Sequence, residues 1–171
     1  MDKKELAAKA VELLKKEYPD AICSLEYVKP HELLFATRLA AQCTDARVNI
    51  VTETLFKKYK TCQDFAAADY EELCNDIRST GFYRNKAKNI ILCCQRLIEV
   101  YNSQVPDTME DLLTLAGTGR KTANLVLGDI FGKPAVVVDT HCMRLSRRIG
   151  LTSSDTPEKI EFDLKKIIPP E

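Results

Sequence analysis

The sequence lacks net charge, lacks an apolar run of membrane-spanning length, and lacks any two cysteines in the CxxC spacing. Each absence excludes something. Lys and Arg number 25 against 25 Asp and Glu, so there is no overall basic surface to argue for nucleic-acid binding, although neutrality says nothing about how charge is distributed. No uninterrupted apolar stretch approaches the roughly 20 residues a bilayer span requires. The opening Met1-Asp2-Lys3-Lys4-Glu5 starts an amphipathic helix rather than a signal peptide, which places the chain in the cytoplasm with no membrane partner. The seven cysteines, Cys23, Cys43, Cys62, Cys74, Cys93, Cys94 and Cys142, are an odd, dispersed set lying mostly in helical apolar patterns. They read as buried free thiols, and with only two histidines they supply no zinc or iron–sulfur ligand spacing.

What is present is helical grammar over 171 residues, enough for one substantial core and a small satellite. Asp2 with Glu5 forms a capping box ahead of Leu6, Val11, Leu13, Leu14 and Tyr18. A second helix begins near His31 after Pro30, and Thr44 or Asp45 caps a third through Tyr59, which leaves Gln42 at a junction. Short helices follow near Cys62 and Tyr70. Gly81 then precedes a longer helix carrying Ala87, Ile90, Cys94 and Leu97. Thr108 and Asp111 start another short helix, and the pattern resumes from Ala123 to Phe131 until Gly132-Lys133-Pro134. The one β-like run, Ala135 to Val138, is too short for a sheet and reads as a buried extended linker. Asp139 or Thr140 caps a helix ending at Gly150, and Thr156-Pro157-Glu158 begins the last one. The fold class is therefore all-α.

Charge gathers where the pattern is briefly broken. From Ala116 to Gly150 there are six Lys and Arg against two Asp, a local +4 balanced by −4 in the remainder. Within it, Leu115-Ala116-Gly117-Thr118-Gly119-Arg120-Lys121-Thr122-Ala123 sets two glycines between apolar helices. Such a hairpin points backbone N–H groups outward at a helix start, where with Arg120 they can hold a DNA phosphate without reading sequence. A hairpin that needs glycine only for close packing is the plainer alternative. Lys121 is a candidate nucleophile and Asp139 a candidate carboxylate facing it, set against a phosphate-touching lysine and a helix-capping aspartate.

Four separated segments, Leu39-Ala40-Ala41-Gln42-Cys43-Thr44-Asp45, Gly81-Phe82-Tyr83-Arg84-Asn85-Lys86-Ala87, Gly117 through Asn124, and Val138-Asp139-Thr140-His141, resemble the endonuclease III branch of the helix-hairpin-helix DNA glycosylases. The resemblance implies a helical-bundle domain over 22–133 containing the helix-hairpin-helix, with 1–21 and 134–171 forming an incomplete second helical lobe. It implies a base-excision-repair glycosylase and abasic-site lyase acting as a monomer on duplex DNA with oxidised pyrimidines. Lys121 would form the Schiff base and Asp139 would assist it. Gln42 would fill the void left by a flipped nucleotide, and Phe82 would act as a wedge where the branch often has leucine. Tyr83, Arg84, Gly117, Gly119, Arg120 and Arg144 would contact DNA. Ala116 departs from the family's usual proline. The family's four-cysteine [4Fe–4S] segment is absent from this sequence, so no cofactor is expected in the chain, and a cluster is expected only if the natural protein continues into that segment. The alternative is a noncatalytic helix-hairpin-helix module that binds DNA.

Overall fold

The computed structural model describes residues 2–170, and among them no strand is found. The helices are α1 (Lys3–Glu17), α2 (Pro30–Leu39), α3 (Asp45–Lys58), α4 (Cys62–Ala66), α5 (Tyr70–Asp76), α6 (Tyr83–Tyr101), α7 (Met109–Leu113), α8 (Arg120–Asp129), α9 (Thr140–Ile149) and α10 (Pro157–Ile167), with a 3₁₀ turn at Arg78–Thr80. Their starts follow local chemistry. The Asp2–Glu5 capping box closes α1, Thr44 accepts from the Arg47 amide at α3, and Asp139 accepts from the Cys142 amide at α9. Gly150 ends α9 in the left-handed conformation.

Two apolar clusters organise these helices. The larger joins α2 to α8 through residues such as Leu33, Leu39, Leu73, Ile90, Leu97 and Val126. One part of it is aromatic: Phe65 stacks on Tyr59 at 4.9 Å, meets Phe35 edge-on at 5.0 Å, and lies 6.5 Å from Phe56. The smaller gathers Ala7, Val138, Leu151, Ile160 and Leu164, bringing α1 and the C-terminal helices together. The 135–138 segment is an irregular extended link between the two, since Ala135 packs on the first and Val138 on the second.

The helical spacing of Leu13, Leu14 and Tyr18 does not mark a buried face. They are 54%, 53% and 62% exposed, and Ala7 is the buried residue of α1. A small side chain lets α1 lie close on α10, with Leu6 packed partly beside it, while Leu13, Leu14 and Tyr18 face outward. All seven cysteines are free, but only Cys62, Cys74, Cys93 and Cys94 are fully buried.

These positions differ in energetic weight. Phe65→Ala should cost about 3–5 kcal/mol in urea unfolding, because three rings lose a partner at the cluster's centre. Leu14→Ala should change stability by no more than about 0.5 kcal/mol.

Candidate active site

The first turn of α8 stands at a border between two cavities. One, of about 410 Å³, lies against the loop between α2 and α3 and is lined by Ala41, Gln42, Asp45, Lys121, Thr122 and Leu125 among others. The other, of about 490 Å³, lies toward α10, with Gly119, Arg120, Lys121, Asn124, Val138 and Glu161 in its wall. Lys121 is exposed and belongs to both. Asp139 follows Val138 directly and is half-buried. Its Oδ1 accepts the Cys142 amide at 2.7 Å, which serves the α9 cap and leaves a carboxylate its second oxygen for another partner.

The hairpin's two glycines have different reasons to be there. Gly117 has φ +71°, and a Cβ on it would lie 2.9 Å from both Arg38 Nε and Asn89 Nδ2. Arg38 is buried and donates to Asn89 O at 3.1 Å and to Thr118 Oγ1 at 2.9 Å, so it cannot give way cheaply. Gly119 has φ −101° and nothing within 4 Å of an added Cβ. Its open outer side adjoins an α8 N-terminus that no side chain caps, where the first-turn amides lack intrahelical acceptors.

Arg120 does not stand free at this hairpin. Its Nε and Nη2 donate to Glu161 Oε2 and Oε1 at 2.9 and 2.7 Å, and its guanidinium lies 5.0 Å from the Phe162 ring centre. Glu161 is 2% exposed and also takes a 2.7 Å bond from Lys165 Nζ. Burial pushes the Glu161 pKa up, but hydrogen bonds from Arg120, Lys165 and Asn124 outweigh it and hold the carboxyl at about 2.

Gln42 and Phe82 are both exposed, Phe82 at 68%, and both are left-handed, with φ of +54° and +48°. For a ring-bearing side chain this is a costly conformation. Tyr83, half-buried beside Phe82, has the guanidiniums of Arg78 and Arg84 at 5.7 and 5.8 Å from its ring. Arg144 is exposed with Arg147 and Arg148 around a surface recess on α9, separate from both cavities at Lys121. The structure thus brings Gln42 and Lys121 onto one cavity and leaves Phe82, Tyr83, Arg84 and Arg144 outside it.

Residues 35–170 match the HhH-GPD superfamily base excision DNA repair protein family. The endonuclease III of Synechocystis sp. is 52% identical over 98% of this chain and 77% of its own length. The chain belongs to the endonuclease III family. Two solved structures of that family, a non-covalent endonuclease III–DNA complex and a trapped endonuclease III–DNA covalent intermediate, each superpose with a TM-score of 0.93 at 48% identity. Each match covers 99% of this chain and 79% of the other. Among the described residues no three His, Cys, Asp or Glu side chains are grouped to hold a metal ion. The endonuclease III [4Fe–4S] cluster therefore finds no fit here, since the thiols are dispersed and four of them sit fully buried.

Sequence reasoning missed Arg38, Arg78, Asn124 and Glu161. For Glu161 a signal existed, because it recurs with Leu164 and Ile168 at helical spacing on an apolar face.

Gly117→Ala should destabilise the fold by about 1–3 kcal/mol in urea unfolding, through strain at positive φ and the contact with Arg38. Gly119→Ala should stay within about 1 kcal/mol of the parent. The depressed Glu161 pKa adds stability that is complete above its ordinary value of 4.5 and lost as pH falls toward about 2. Acid unfolding should therefore show Glu161→Gln less stable than the parent at pH 7, with the difference shrinking between about pH 4.5 and 2.

Proposed function

We propose that this chain is a base-excision DNA glycosylase that removes oxidised pyrimidines from duplex DNA and then cleaves the strand as an abasic-site lyase. The observation that carries the reading is Lys121, an exposed amine in the first turn of α8 at the meeting of two cavities, in a chain 48% identical to an endonuclease III trapped covalently on DNA. A base inside a duplex is out of reach of this amine, so the damaged nucleotide must turn out of the stack. Gln42 and Phe82, exposed on separate loops, are the side chains suited to enter the duplex and hold the gap.

The Lys121 Nζ lone pair then attacks C1′. The C1′–N bond to the base breaks, and the departing base takes that electron pair and a proton. The sugar ring opens as the C1′–O4′ bond breaks, leaving a protonated imine between Lys121 and C1′. Loss of a C2′ proton sends electrons toward the iminium and expels the 3′ phosphate, and water finally releases Lys121. Asp139, next to the cavity wall at Val138, supplies the carboxylate that takes the amine proton and offsets positive charge on the sugar. The Gly117–Gly119 hairpin and the open α8 N-terminus receive a DNA phosphate. Tyr83, Arg84 and Arg144 meet the backbone on either side, and Arg120 acts by fixing the start of α8 against Glu161. The protein works as a monomer in the cytoplasm.

Borohydride reduction during reaction with an abasic-site duplex should yield a covalent adduct that Lys121→Ala lacks. Asp139→Asn should slow base excision by roughly 10²–10⁴-fold while the fold is retained. An adduct of equal yield in Lys121→Ala would remove the lyase reading.

A further inference from the structure

Lys86 is a lysine held inside the protein, 5% exposed, in the first turn of α6. No carboxylate is within salt-bridge distance of it among the described residues. Its Nζ donates instead to two backbone carbonyls, Leu39 O at 2.8 Å and Thr80 O at 2.9 Å. Burying an ammonium group is costly unless such partners replace water.

The two carbonyls have a common character. Leu39 is the last residue of α2, and Thr80 is the last residue of the 3₁₀ turn, so both are terminal acceptors at the negative ends of their elements. Each also launches a strained loop. Beyond Leu39 the chain passes Ala40 and Ala41 to Gln42 at φ +54°, and beyond Thr80 it passes Gly81 at φ +73° to Phe82 at φ +48°. One ammonium therefore fastens together the backbone origins of the two exposed, left-handed side chains.

We propose that Lys86 is a positioning residue for base extrusion, coupling the Gln42 loop to the Phe82 loop so that both side chains enter the duplex at a set spacing. This rests on the reading of Gln42 and Phe82 given above. Lys86 touches neither DNA nor the reacting atoms. Its effect is confined to the step in which the stack is opened, and a substrate without a stack does not need it.

The test uses the full chain and two readouts. The first is extrusion, followed by 2-aminopurine fluorescence beside a thymine glycol lesion in a duplex. The second is strand cleavage at an abasic site in a single-stranded oligonucleotide. Lys86→Met should slow extrusion by about tenfold or more while leaving single-strand cleavage within about twofold, as expected when geometry rather than stability is lost. Lys86→Arg, which keeps donors for both carbonyls, should recover part of the extrusion rate. In a Gln42→Ala/Phe82→Ala background, Lys86→Met should add less than about a twofold effect, since its route of action is gone. If Lys86→Met does not fold, Lys86→Gln, whose shorter amide reaches one carbonyl at most, is read in the same way. Equal loss in both assays, or no loss of extrusion, overturns the proposal. Absence of cleavage by the parent protein would instead strike the lyase reading, and the fluorescence readout would still decide Lys86.

Discussion

The carboxylate of Glu161 lies almost wholly out of water on α10, and the guanidinium of Arg120 reaches it from the first position of α8 with two hydrogen bonds. With the Lys165–Asn124 hydrogen bond, this pair ties the start of α8, in the larger apolar cluster, to α10, in the smaller one. Lys121 is the next residue along. A buried ion pair of this kind is a poor source of net stability, because desolvation consumes most of the attraction. Its value is directional: a planar fork on a planar carboxylate admits little rotation. Lys165 donates to Oε1 as well, so two cations share the buried carboxylate.

The same economy holds on the other side of the hairpin. Arg38, buried on α2, supports Thr118 and the α6 backbone at Asn89, and it occupies the space that a side chain on Gly117 would need. The hairpin is thus gripped from inside by one arginine and from α10 through another. What remains outward is Gly119 and the uncapped amides of α8. The outward groups are thus backbone, and the charged side chains hold that backbone in place.

Much of this was legible in the sequence. Caps, glycines and prolines act within a few residues, so Asp2 and Gly150 marked helix ends, and of the pairs Thr44/Asp45 and Asp139/Thr140 the structure selects Thr44 and Asp139. The glycine interruption ahead of α8 was legible for the same reason. Periodicity failed at α1, where the spacing of Leu13, Leu14 and Tyr18 is helical but a small residue, Ala7, makes the close contact. It could not separate the functions of Gly117 and Gly119, because Arg38 comes from a distant helix and local grammar cannot see it. Arg120 looked free for phosphate for the same reason, its partner Glu161 being on the last helix. Lys86 was hidden differently. Its position recurs with Ile90, Cys93 and Leu97 on the buried face of α6, yet a lysine there gives no hint that its partners are carbonyls rather than an acid.

Backbone strain sharpens the distinction between ends that stop a helix and ends that present a side chain. Among the described residues four non-glycine residues have positive φ: Gln42, Phe82, Asn102 and Ser103. Asn102 closes α6, an ordinary place for asparagine in the left-handed region, and the Ser103 amide bonds back to Leu97 O as such endings do. Phe82 has no such excuse, since it precedes a helix rather than ending one and its ring gains nothing from burial. A conformation costing about 1 kcal/mol or more endures only if the flanking structure dictates it. Here the flanks are pinned by Lys86, by the buried Thr80 and by the α6 N-terminus, so the ring is held outward before any partner arrives. A side chain whose ordering cost is met in the free protein loses less freedom on any later contact, which is the physical advantage of carrying the strain permanently.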